Sequence, residues 1–161
     1  MGLCSHWYEL TPARMTSFLA GDRKLSTWDD ALDDLVRSEG VLAETDIDKS
    51  WFAMHFVLCG TPDPVDGPLG FVMTGEVVDE GEDYPQRVFE PDEVNEIAAA
   101  LRPVDGEAFR MRIDFTAMKR AGVSRGSEAD ELEYVGDYYI QLREFVLGVA
   151  ERGNAIVTCI T

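Results

Sequence analysis

The sequence predicts one α+β domain over residues 1–161: a small mixed β-sheet of about four strands, packed with six or seven helices around a buried central helix, Thr45–Gly60. Three observations lead there. Between Lys49 and Asp63 no residue is Asp, Glu, Lys or Arg. Ile47, Trp51, Met54 and Leu58 line one side of this stretch, and Phe52, Phe56 and Cys59 cover much of the rest. A helix that is apolar nearly all round is buried on several sides. Second, Leu132, Val135, Tyr139, Leu142, Val146 and Val149 recur in alternating steps of three and four residues, one face of a long helix. Third, the predicted strands and helices do not alternate in regular βαβ units.

Leu3–Leu10 is rich in aromatics and reads as a strand, with Cys4, His6, Tyr8 and Leu10 facing one way and Leu3, Ser5, Trp7 and Glu9 the other. Thr11-Pro12 is a capping hydroxyl followed by a proline suited to the first helical position. That helix carries Met15, Phe18 and Leu19 and stops at Gly21. Ser26 or Thr27 starts a second helix, to about Ser38, with Trp28, Leu32, Leu35 and Val36 as its apolar face. In the central helix Thr45 is the expected cap, with Asp46 as a rival and Asp48 in the first turn, where the helix dipole favours a negative charge. Gly60 and Pro62 end it. Burying Trp51, Phe52, Met54, Phe56 and Leu58 contributes about 1.5–3 kcal/mol each as an upper bound.

Thr61–Gly70 is an ordered loop of prolines and glycines. Phe71–Val78 reads as a strand in which Gly75 marks a bulge or a close approach. An acidic turn, Asp79–Asp83, leads to a short edge strand at Gln86–Phe89. Pro91 opens a helix that buries Val94, Ile97, Ala98 and Leu101. Asp105 and Asp114 start two shorter helices, and a polar loop, Gly122–Ala129, precedes the long helix Asp130–Arg152, which Gly153 caps. Ala155–Thr161 is too apolar for an exposed edge, which places it centrally in the sheet, beside the first strand.

The net charge is −17, from 31 acidic and 14 basic residues. Nucleic-acid binding through phosphates is therefore not expected, because no basic patch is available to release counterions. A basic protein partner suits this charge; the plainer reading is a solubilising surface. Cys4, Cys59 and Cys159 form an odd set with no CxxC or zinc spacing, as in a reducing compartment. With no basic and apolar leader and no apolar run of membrane-spanning length, the expectation is a cytoplasmic protein without membrane contact.

No GxSxG, HExxH, phosphate-cradling glycine loop or dinucleotide fingerprint occurs, so an enzymatic activity is left open and no cofactor is expected. Asp29, Asp30, Asp33 and Asp34 in DDALDD resemble an aspartate-rich magnesium motif of prenyl-diphosphate enzymes. The chain is short for such an all-helical enzyme and has no second motif, so a solvated acidic face is favoured. Cys4 with His6, and His55 with Cys59, are spaced for Cys–His pairs, but packing alone produces both spacings. His55, four residues after Trp51 and seven after Asp48, can belong to a pocket or be a neutral core histidine, which is favoured.

The segments MGLCSHWYELTP, DIDKSWFAMHFVLCG, the following PLG, EPDEVNEIAAAL and ERGNAIV together resemble the YfbM-like family of bacterial domains of unknown function. The likeness spans most of the chain, and Asp48, Lys49, Trp51 and His55 lie in its most specific part. It implies a single bacterial domain and no particular chemistry. Glu90 stands where related sequences often carry a Ser or Thr cap, implying a weaker helix start. Two functions follow as expectations. The first is a protein-interaction module of immunity or regulatory type with an acidic surface. The alternative is an enzyme or small-ligand binder with its pocket at the start of the central helix: Asp48 as base or acceptor, Lys49 holding an anion, Trp51 and His55 as wall.

Overall fold

The computed structural model describes residues 3–20, 40–79, 85–124 and 126–160. The helix expected between Ser26 and Ser38, with its four aspartates, and the acidic turn after Asp79 lie outside the described residues. The strands are β1 (Ser5–Leu10), β2 (Ala43–Asp46), β3 (Glu76–Asp79), β4 (Gln86–Phe89) and β5 (Ala155–Ile160). Among the described residues six α-helices follow the chain: α1 (Pro12–Ala20), α2 (Trp51–Cys59), α3 (Pro91–Leu101), α4 (Gly106–Met111), α5 (Phe115–Ala121) and α6 (Glu128–Arg152). Short 3₁₀ turns occupy Asp48–Ser50 and Pro68–Gly70.

The sheet has five strands in the order β2-β1-β5-β4-β3. Every neighbouring pair is antiparallel. A mixed sheet of about four strands was expected. Alternating side chains look the same in either strand direction, so hydropathy carries no information on direction. The final strand lies centrally beside β1, as its apolar sequence requires, with Trp7 opposite Thr158. β2 went unread because its four residues, AETD, are short and polar. Conversely, Phe71 and Val72 are not in a strand: they are buried in a turn, and β3 begins only after Gly75. Gly75 has φ 126°, and a Cβ there would lie 2.7 Å from the Phe89 ring.

Trp7 anchors one face of the sheet, stacked on Phe89 with ring centroids 6.1 Å apart and edge-on to Phe71 at 5.5 Å. Over this face pack α2, α3 and α6 through Met54, Leu58, Ile97, Leu101, Leu142 and Val146. A smaller cluster on the other face joins Leu10, Val88, Val157 and Cys159 to Met15 of α1. Glu9 shares the buried face with Trp7 and is only 1% exposed. Two Arg152 nitrogens reach its carboxylate at 2.7 and 2.8 Å, and the Asn154 amide donates at 2.7 Å. Burial pushes this carboxyl up, but the Arg152 and Asn154 hydrogen bonds outweigh it and hold it below its ordinary value.

The central helix starts later than expected. Thr45 belongs to β2, and Asp48 has φ 46°, outside the right-handed helical region. The regular helix is thus α2, preceded by the 3₁₀ turn; Gly60 ends it at φ 76°, with its N–H on the Phe56 carbonyl. Trp51, Ala53, Met54, His55, Val57 and Leu58 are buried, and Phe52, Phe56 and Cys59 are half-buried against the same core. The long helix begins two residues before Asp130, because Ser127 caps it and the Asp130 carboxylate returns the bond to the Ser127 N–H. At α3 the Glu93 carboxylate accepts from the Glu90 N–H at 2.8 Å, so the start lacking Ser or Thr is capped by another route.

Candidate functional site

The segment that enters α2 is tied to its surroundings by one carboxylate. Asp46 and Asp48 form a tight local turn, the Asp48 N–H donating to Asp46 Oδ1 at 2.5 Å. This turn holds Asp48 in the left-handed region, which aspartate tolerates better than most side chains. Asp48 Oδ2 accepts from the Tyr134 hydroxyl at 2.7 Å, and Oδ1 accepts from the Cys4 thiol at 3.2 Å. The Tyr134 oxygen in turn accepts from the Lys49 N–H at 3.3 Å. Thus β1's leading residues, the 3₁₀ turn and α6 meet at one point. The Tyr134 hydrogen bond, opposed by partial burial, holds the Asp48 carboxyl below its ordinary value. The same carboxylate pushes the Cys4 thiol up, so Cys4 is a poor nucleophile here. Burial and the Asp48 bond push Tyr134 upward as well.

Beside this junction lies a cleft of about 530 Å³. One side is Lys49, Ser50 and Ala53, and Val123 and Gly126 come from the connection into α6. The other side is α6 itself. Asp130, Glu133 and Asp137 follow one another at helical spacing, next to a stripe of Glu131, Tyr134, Val135 and Tyr138. The Tyr134 and Tyr138 rings stand at 76° with centroids 5.0 Å apart. Among the described residues four carboxylates therefore face the cleft with one ammonium, over a partly apolar floor. Three of the four have local work. Asp130 caps α6, Glu131 accepts from Ser124 Oγ and the Gly126 N–H at 3.0 Å each, and Asp137 pairs with Arg110. No such bond engages Glu133 among the described residues, and its side is exposed.

Of the residues picked from sequence, the structure brings Lys49 into this cleft and Asp48 to its margin through Tyr134. Trp51 and His55 are not among its lining residues. Trp51 is 8% exposed and donates from Nε1 to the Leu3 carbonyl at 3.0 Å. His55 is fully buried, with Nε2 2.8 Å from the Asp63 carbonyl oxygen, so Nε2 carries the proton. Its Nδ1 has no hydrogen-bond partner among the described residues. Burial holds the imidazole below its ordinary value, hence neutral at pH 7. His55 and Cys59 are not paired: the Cys59 thiol donates to the Leu69 carbonyl at 3.4 Å. Among the described residues no cluster of His, Cys, Asp or Glu has the makings of a metal site. No helix among them is long and apolar enough to cross a membrane.

Of the α6 residues lining the cleft, only Val135 belongs to the periodic face that the sequence analysis reads as buried. The signal that could have found them is the acidic stripe 130/133/137 running beside Tyr134 and Tyr138 at the same spacing.

Comparison with known families matches residues 1–159 to the one described as Domain of unknown function (DUF1877). The chain belongs to that family. Comparison with curated proteins found no match. Among solved structures, this DUF1877 domain is similar to YfbM, a protein of unknown function from Escherichia coli. The two share 20% identity and a TM-score of 0.73, over 98% of this chain and 99% of that one. That likeness concerns the fold, and it makes this a YfbM-like α+β domain.

Proposed function

We propose that this DUF1877 domain is a protein-interaction module, of immunity or regulatory type, that binds a basic partner through the α6 side of the cleft. The observation that carries this reading is the composition of the cleft: among the described residues, four carboxylates and two tyrosines over a partly apolar floor, against a single lysine. Tyrosines with charged neighbours are the kind of surface that anchors protein partners. The net charge of −17 adds a long-range field that speeds encounter with a cation. Titrating the domain with a synthetic basic peptide and with its acidic counterpart tests it. Only the basic peptide should bind, and binding should weaken as ionic strength rises from about 10 mM to about 150 mM. Equal binding of both peptides, or none at low salt, overturns the reading.

A second reading, a small-ligand site or enzyme, draws support from the cleft volume of about 530 Å³, within the range of ligand pockets. It fits the present geometry less well. Both Asp48 oxygens already accept hydrogen bonds, and four carboxylates surround the Lys49 that would hold an anion.

A further inference from the structure

We infer that the cleft is a receptor for one guanidinium side chain, an arginine of the basic partner; this deepens the reading above and rests on it. Glu133 and Asp137 are four residues apart on one helix face, where like charges destabilise each other. The helix dipole favours acids only in the first turn, and Glu133 lies beyond it. Arg110 relieves Asp137, but no described residue relieves Glu133. A cation entering the cleft supplies that missing charge.

The shape then selects among cations. An ammonium is a compact, strongly hydrated point charge; a guanidinium is planar, sheds water more easily and stacks on aromatic faces. Tyr134 and Tyr138, nearly perpendicular to each other, both line the cleft, with the Glu133 carboxylate beside them on α6. A guanidinium can stack on a tyrosine ring while its N–H groups reach Glu133. Tyr134 is already fixed by Asp48, so the ring wall is in place before any ligand arrives.

The test is a chemical-shift titration of the whole domain with N-acetyl-arginine amide, N-acetyl-lysine amide and neutral N-acetyl-norleucine amide. The arginine probe should shift Ala53, Tyr134 and Tyr138 and bind about threefold or more tighter than the lysine probe. Tyr138→Ala should weaken it by about threefold to tenfold, with Tyr138→Phe retaining most of the affinity because the ring remains. Glu133→Gln, an exposed change with little bearing on folding, should weaken it as well. Equal affinity for arginine and lysine, or shifts confined to surfaces outside the cleft, overturns the inference. If a basic peptide still binds in a salt-dependent way in that case, the interaction-module reading stands alone; if it too fails at low salt, both fall.

Discussion

Asp48 keeps two neutral donors, the Tyr134 hydroxyl and the Cys4 thiol, on one ionised carboxylate while its own backbone sits at φ 46°. A carboxyl whose folded-state pKa lies below its unfolded value stabilises the fold above the unfolded pKa and loses that contribution as pH falls through the folded one. Asp48 and Glu9 both shift in this direction, so stability should fall off below about pH 4, the ordinary carboxylate range. Asp48→Asn keeps size and backbone tolerance but removes the charge. It should cost about 1–2 kcal/mol at pH 7 and less at low pH, measured by urea unfolding at both. An identical loss at both pH values would remove Asp48 from the charge account. His55 shifts downward as a base, so protonating it opposes folding, and stability should begin to decline as pH falls below about 6.5. A His55→Phe variant should lack that shallow decline. From sequence, the neutral core histidine was legible because a charge-free run leaves an imidazolium no partner. The Asp48–Tyr134 bond was not, since it joins residues 86 apart in the chain.

At the scale of elements, helix α2 has no side-chain cap and owes its stability to packing. Met54 at its centre is fully buried, so Met54→Ala should cost about 2–5 kcal/mol in denaturant unfolding. The turn into β3 depends on a glycine for two reasons at once: φ 126° and the Phe89 ring 2.7 Å from any added Cβ. Gly75→Ala should therefore destabilise by about 1–3 kcal/mol, whereas a neutral result would mean that the turn relaxes freely. Elements with long periodic or β-branched patterns, α3, α6 and β5, were legible in the sequence, because burial imposes a period. The start of α2 was not. Asp48 suits a helix's first turn and Lys49 its interior, yet the pairing of β2 with β1 draws Thr45 and Asp46 into the sheet. Phe71 and Val72 misread as strand for the opposite reason: an apolar run records burial, and here the buried segment is a turn.

Across the whole molecule, an antiparallel sheet carries a large core on one face and a small one on the other, and α6 crosses the large one along its full length. The buried stripe of α6 builds the domain, and its half-exposed stripe, with Tyr134 and Tyr138, lines the cleft at which we propose a partner binds. The fold was largely legible, since strand and helix periods and the family likeness agree. The candidate cleft was legible only in part: Lys49 lines it and Asp48 adjoins it through Tyr134, while its acidic and aromatic wall is contributed by a helix some 80 residues later, a proximity only folding reveals. Among the described residues Lys49 is the one cation lining the cleft, so Lys49→Gln should tighten binding of a basic peptide about twofold, read by calorimetry at low salt.

In our proposal recognition belongs to this wall and not to the diffuse negative charge. It is tested most directly by comparing two charge-matched variants, Glu133→Gln in the cleft and Glu96→Gln on the exposed side of α3, for their affinity toward one arginine-containing basic peptide. Affinity should fall about fivefold or more for Glu133→Gln and hardly at all for Glu96→Gln. Equal losses in the two variants would contradict it, leaving net charge alone as the source of binding.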